Sequence, residues 1–228
     1  MTISYRLLHH PLDPPSRRVR LALAEKGVAC DFTVEKPWEP SADALALNPS
    51  GELPILVVTE GKDSHTLTDA QAICEYLDET SAAASLLGKD PFNRAEVRRL
   101  IGWFDRKFYS EVTQPLVAEK ALKRLQGLGE PDSLQIRAAC HNIRGHLDYI
   151  AWLTERRNWL AGDVISFADL AAGAQLSVVD YLGDVPWNSH VLAKEWYARL
   201  KSRPSFRGLL GDRIAGFPPP AAYADLDF

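Results

Sequence analysis

The periodicity of this chain changes once, near Pro91, and that single change limits the folds open to it. Before Pro91 the apolar positions fall in short runs broken by Gly and Pro. After it they recur only at helical spacing, in segments 92–127, 132–156, 166–182 and 190–210. A mixed α/β half followed by an all-helical half is therefore expected.

The first half reads in detail as β-α-β followed by β-β-α. "ISYRLLH" (3–9) and "CDFTVE" (30–35) read as strands, and a third strand falls within 44–58. "TEGKDSH" (59–65) is expected as a hairpin tip, leading to a fourth strand at "TLTD" (66–69). The first helix is expected to take Ser16 as its cap and to stop at Gly27. The second, "AQAICEYLDET" (70–80), is expected to carry Ala72, Ile73, Tyr76 and Leu77 on one apolar side. These elements set domain limits of 1–80, a linker at 81–90, a helical domain at 91–216 and a tail at 217–228.

Composition excludes several classes. Of 228 residues 46% are hydrophobic, enough for sizeable cores, and the net charge of −4 gives no basic field for nucleic acid. The N-terminal run has no basic segment before an apolar one, and no apolar run reaches transmembrane length, so neither export nor membrane insertion is expected. Three separated cysteines, Cys30, Cys74 and Cys140, form no metal-binding or disulfide pattern and fit a reducing cytoplasm as small core residues.

Four motifs in order carry a resemblance over nearly the whole chain. They are "SRRVRLALAEKG" (16–27), "NPSGELPIL" (48–56), "LTDAQAICEYL" (67–77) and "ISFADL" (165–170). Together they resemble the cytosolic glutathione S-transferases. The resemblance implies an N-terminal thioredoxin-like βαβ-ββα domain joined to a helical bundle. It implies a cis Pro54 before the third strand, and a capping box at Ser166 and Asp169.

The resemblance also locates a glutathione site, and the residues there depart from the pattern. Asp13 falls near the position where the family carries a thiol-activating Ser or Cys. A carboxylate there would raise a neighbouring thiol's pKa, and Pro14 and Pro15 offer no N–H. Asp69-Ala70 replaces the Glu-Ser pair that holds the γ-glutamyl end, which removes a hydroxyl. Backbone at Leu53-Pro54 retains the capacity to pair with the cysteinyl part. A degenerate site without catalytic residues, cofactor or metal is expected. The alternative is a glutathione-dependent transferase or isomerase using Tyr5, Ser16 or water as substitute.

Three other features suit a protein partner. Trp38 sits between Pro37 and Pro40, either packed or as an exposed anchor. "PLVAEKALKRLQG" (115–127), in which Pro115 should kink or restart the helix, gathers Glu119, Leu122, Lys123 and Arg124, with Arg137 on the next helix. Such a run is ordinarily a solvated face, yet it also fits an acidic partner. "GFPPPAAYADLDF" (216–228) reads as a polyproline-like arm with Tyr223, Leu226 and Phe228 spaced by Asp225 and Asp227, either frayed or docked. Asp227 is a candidate partner for Arg137.

With these features the chain resembles the glutathione-transferase-like cell-division proteins of alphaproteobacteria. That resemblance implies a cytoplasmic homodimer at the division site. It implies binding to FtsZ filaments through Trp38, Glu119, Leu122, Lys123, Arg124 and Arg137, bundling or curving them. A second division or wall-synthesis partner would engage Asp227 and Phe228. A transferase-like module on the transcription machinery is a third reading with the same inert pocket.

Overall fold

The computed structural model describes residues 3–226. The chain divides into two compact units, 1–85 and 86–228.

The first unit holds one four-stranded sheet in the order β2-β1-β3-β4. Its elements are β1 (Ile3–His9), α1 (Pro14–Glu25), β2 (Asp31–Val34), α2 (Ala42–Leu47), β3 (Ile55–Glu60), β4 (Asp63–Thr68) and α3 (Ala70–Thr80). β2 runs parallel to β1, joined by the α1 crossover, while β3 and β4 add antiparallel neighbours. Leu7, Leu8, Ile55, Leu56 and Val58 are buried in the sheet, and Leu21, Leu23, Ile73 and Leu77 in the helices. The Leu53-Pro54 bond is cis, as the turn motif implied.

Local chemistry corrects three expectations. Helix α1 is capped by Asp13, not Ser16, because Pro14 and Pro15 occupy its first turn, where a missing N–H is harmless. Strand β4 begins at Asp63, so the tip is only the tight turn around Gly61, whose φ of +64° suits glycine. On α3 it is Cys74 that is buried beside Ile73 and Leu77, while Ala72 faces solvent and Tyr76 is half-buried. Cys30 and Cys140 are half-buried, and burial pushes the Cys30 thiol up to about 11.

The second unit is helical throughout. A continuous helical run is made of α4 (Pro91–Gly102), a π-wound stretch (Trp103–Thr113), α5 (Gln114–Leu116), a second π-wound stretch (Val117–Leu122) and α6 (Lys123–Gln126). Pro115 neither stops nor restarts it, since Thr113 and Leu116 keep helical φ and ψ. The wider winding on both sides accommodates the residue that cannot donate. Gly127, at φ +66°, then ends the run.

Three longer helices follow: α7 (Ser133–Thr154), α8 (Phe167–Leu182) and α9 (Val191–Lys201). All sixteen residues of α8 are buried, so it is the axis of this unit. Its N-terminus carries the capping box of Ser166 and Asp169. The fully buried Asp169 also takes the Leu160 N–H at 2.9 Å and the Trp196 Nε1–H at 3.0 Å. Gly173 allows α9 to approach: a Cβ there would fall 2.3 Å from Leu200. After α10 (Arg207–Leu210) the chain forms a last 3₁₀ turn at Ala221–Ala224. Tyr223 is wholly buried, so this part of the tail is core of its own unit, not a free arm. No described helix is long and apolar enough to cross a membrane.

Candidate functional site

In the first unit the strand register builds the site. Leu8 pairs with Ile55, and Ile55 with Thr68. The residues just beyond that row therefore emerge at one end of the sheet: the 10–13 loop, cis Pro54, and Asp69 with Ala70. Trp38 joins them, because its ring meets His10 edge-on at 5.1 Å. His10 is held by the Leu12 N–H, which donates to its Nδ1 at 3.2 Å.

The polar groups at this end are occupied in holding the backbone. The Asp13 carboxylate accepts the Ser16 N–H at 2.8 Å. The Ser16 hydroxyl is fully buried and lies 3.4 Å from the His10 N–H. Asp69 caps α3, accepting from Gln71 N–H at 2.7 Å and Ala72 N–H at 3.0 Å. It does so at φ +69°, an unusual backbone state for a residue with a side chain. Ala70, buried behind it, contributes only a methyl group.

Tyr5 lies opposite Val58, three residues back from the Leu8–Ile55 row. At about 3.3 Å per residue that is about 10 Å from the site end. Burial and the neighbouring Tyr76 push its hydroxyl pKa up.

In the second unit the charged hairpin is largely paired within the chain. Lys120 bonds both Asp184 oxygens, at 2.6 and 2.8 Å, and reaches the Leu182 carbonyl at 3.2 Å. Glu119 accepts the Asp132 N–H at 2.6 Å and meets Lys123 at 2.5 Å. The Asp132 N–H first, then Lys123, hold the Glu119 carboxyl below its ordinary range. Arg124 is exposed, its guanidinium 5.8 Å from the Phe217 ring centroid.

A groove of about 650 Å³ runs past Lys120, Lys123, Arg124, Ile136 and Phe217. Lys123 and Arg124 are therefore brought together. Glu119 lines a neighbouring groove of about 590 Å³ with Glu111, Gln114 and Asn142. Leu122 is half-buried and Arg137 exposed, and neither lines these grooves. Asp227 and Phe228 lie outside the described residues. Sequence reasoning missed Phe217 and His10. The position of Phe217 before three prolines was the available signal for the first, and none marked the second.

Residues 14–80 match the family model for the glutathione S-transferase N-terminal domain. The chain is 48% identical to FtsZ-localized protein A of Caulobacter vibrioides over 228 residues, all of both chains. Among solved structures it is similar to FzlA from C. crescentus, with 48% identity, a TM-score of 0.96 and coverage of 99% of this chain and 100% of that one. It is also similar to a glutathione S-transferase from Rhodospirillum rubrum F11, with 54% identity, a TM-score of 0.93 and coverage of 98% and 100%. By its fold, its cis-proline turn and this full-length identity, the chain belongs to the glutathione S-transferase superfamily and, within it, to the group represented by FtsZ-localized protein A.

Proposed function

We propose that this chain is a cell-division protein that binds FtsZ filaments as a homodimer at the division site, not a glutathione-dependent enzyme. The observation that carries this reading is its 48% identity, from end to end, with a protein named for its localisation with FtsZ. Two binding faces on a dimer bundle or curve filaments through avidity, with no chemical step. A link to septal wall synthesis through a second partner belongs to the same reading.

The chemistry at the sheet end supports it. In the resemblance a Ser, Cys or Tyr beside the sulfur is what activates the thiolate. Here Asp13 caps a helix, Ser16 is buried, and Tyr5 stands about 10 Å away. Trp38 is the proposed apolar anchor, and Lys123 and Arg124 the proposed meeting points for acidic groups. Glu119, Leu122 and Arg137, of the same unit as Lys123 and Arg124, are proposed as further contacts, and Asp227 and Phe228 as the tail contact.

Co-sedimentation tests the proposal. The protein is expected to pellet with FtsZ polymerised by GTP and to stay in solution with the GDP control. Absence of pelleting at micromolar concentrations and low salt would overturn it. A second reading, glutathione-dependent transfer, is favoured by the 54% identity to a protein described as a glutathione S-transferase. Saturable turnover of an electrophile with glutathione, lost in Y5F, would establish that reading instead.

A further inference from the structure

We infer that Tyr181 is a positioning residue for the basic groove, acting on Arg124 through Phe217. The inference rests on the proposed role of Arg124 as a partner contact.

Tyr181 lies near the end of the buried helix α8, and its hydroxyl serves two backbone groups. It accepts the Ile214 N–H at 3.0 Å and donates to the Phe217 carbonyl at 2.8 Å. Those two residues are the ends of one tight turn. The Phe217 N–H donates to the Ile214 carbonyl at 3.0 Å, and Gly216 takes φ +76° between them. A single phenol therefore fastens both ends of the turn.

The rings continue the arrangement outward. The Phe217 ring stacks near Tyr181 with centroids 6.3 Å apart and 23° between planes. Phe217 in turn lies under the Arg124 guanidinium. Beyond the three prolines, Tyr223 packs edge-on against Tyr181 at 5.1 Å and donates its hydroxyl to the Leu209 carbonyl at 2.8 Å. The segment is thus pinned on both sides of the prolines, and Phe217 is the part of it that reaches the groove.

This matters for binding because an arginine carries high rotamer entropy. A guanidinium already seated on a fixed aromatic face loses less freedom when an acidic group meets it. Removing the Tyr181 hydroxyl frees the turn, lets Phe217 drift and leaves Arg124 to be ordered by the partner.

The test is a double-mutant cycle read by co-sedimentation with FtsZ polymerised by GTP. Y181F keeps the ring and removes one hydroxyl, and is expected to weaken binding about three- to tenfold. In an R124A background the same change should have no further effect. In a W38A background it should act in full, since Trp38 belongs to the other unit. A merely structural loss would lower binding equally in both backgrounds, and that result overturns the inference. So does full binding by Y181F when R124A binds weakly. If R124A itself binds like the wild type, the reading of Arg124 as a contact has failed, and the inference with it. F217A repeats the cycle from the surface should Y181F fold poorly, with the same coupling to Arg124 expected.

Discussion

The carboxylate of Asp13 accepts the backbone N–H of Ser16 at 2.8 Å, at the end of the sheet where cis Pro54 and Asp69 also emerge. The contact caps α1, whose first two residues are prolines. Replacing Asp13 by Ala is expected to lower stability by about 1 kcal/mol, and replacement by Ser to retain most of it. Urea unfolding of the three proteins measures this. Equal stability of the Ala and Asp proteins would mean that the cap contributes nothing.

Trp38 is half-buried, with the His10 ring against it. An aromatic ring seated by a neighbour is partly ordered before a partner arrives. On the proposed function, W38A is expected to weaken FtsZ binding by about 2 kcal/mol, roughly thirtyfold. Titration against GTP-polymerised FtsZ reads the shift. Far-UV circular dichroism should be unchanged, because Trp38 lies in a loop between β2 and α2 and the contact recorded for its ring is with the His10 side chain.

Glu96 ties α4 to the chain after α7. It pairs with Arg99 and Arg157, each at 2.8 Å. These bonds, Arg99 first, hold its carboxyl at about 2, against an ordinary 4.5. A lowered pKa means that the folded state favours the charged form. The contribution is therefore complete above pH 4.5 and lost as pH falls through 2. Solvent around its exposed quarter reduces the contribution to about 1–2 kcal/mol. The Tm gap between wild type and E96Q should be widest at neutral pH and close below pH 4.5. A gap independent of pH would contradict this.

Tyr223 anchors the last turn by its buried ring and by its bond to Leu209. A buried aromatic cut back to Ala ordinarily costs about 3–5 kcal/mol. Here the segment can detach locally, which limits the global loss to the free energy of that detachment. Y223A should thus show faster proteolysis confined to residues 214–226 with a modest fall in Tm. Y223F should lose about 1 kcal/mol of protection. Cleavage spread along the whole chain would contradict a local role.

The fold was legible because its signals are local. Gly27 followed the end of α1, and through the resemblance its motifs carry "NPSGELP" implied the cis bond and Ser166 with Asp169 the capping box. The misassigned cap at Ser16 was local too. Proline is tolerated at the first positions of a helix, so Pro14 and Pro15 pointed to Asp13. Pro115 misled for a different reason: a helix held by α7 and α8 absorbs a missing donor by winding more widely. The site was less legible. Its residue types could be read off, but not their employment: Asp69 and Asp13 are carboxylates by sequence and helix caps by structure.

The sequence by itself determined the order and type of the elements, because propensity and capping act between residues a few positions apart; the cis Pro54 turn and the superfamily were legible through the resemblance its four motifs carry. Tertiary structure alone decided which charges and hydroxyls are already engaged. Lys120 meets Asp184 across 64 residues, and Tyr181 holds Ile214 and Phe217 across more than 30. Such pairings follow from how helices pack around a buried axis, which no short window of sequence encodes. They leave Arg124 exposed and seated on Phe217, while the lysines beside it are paired.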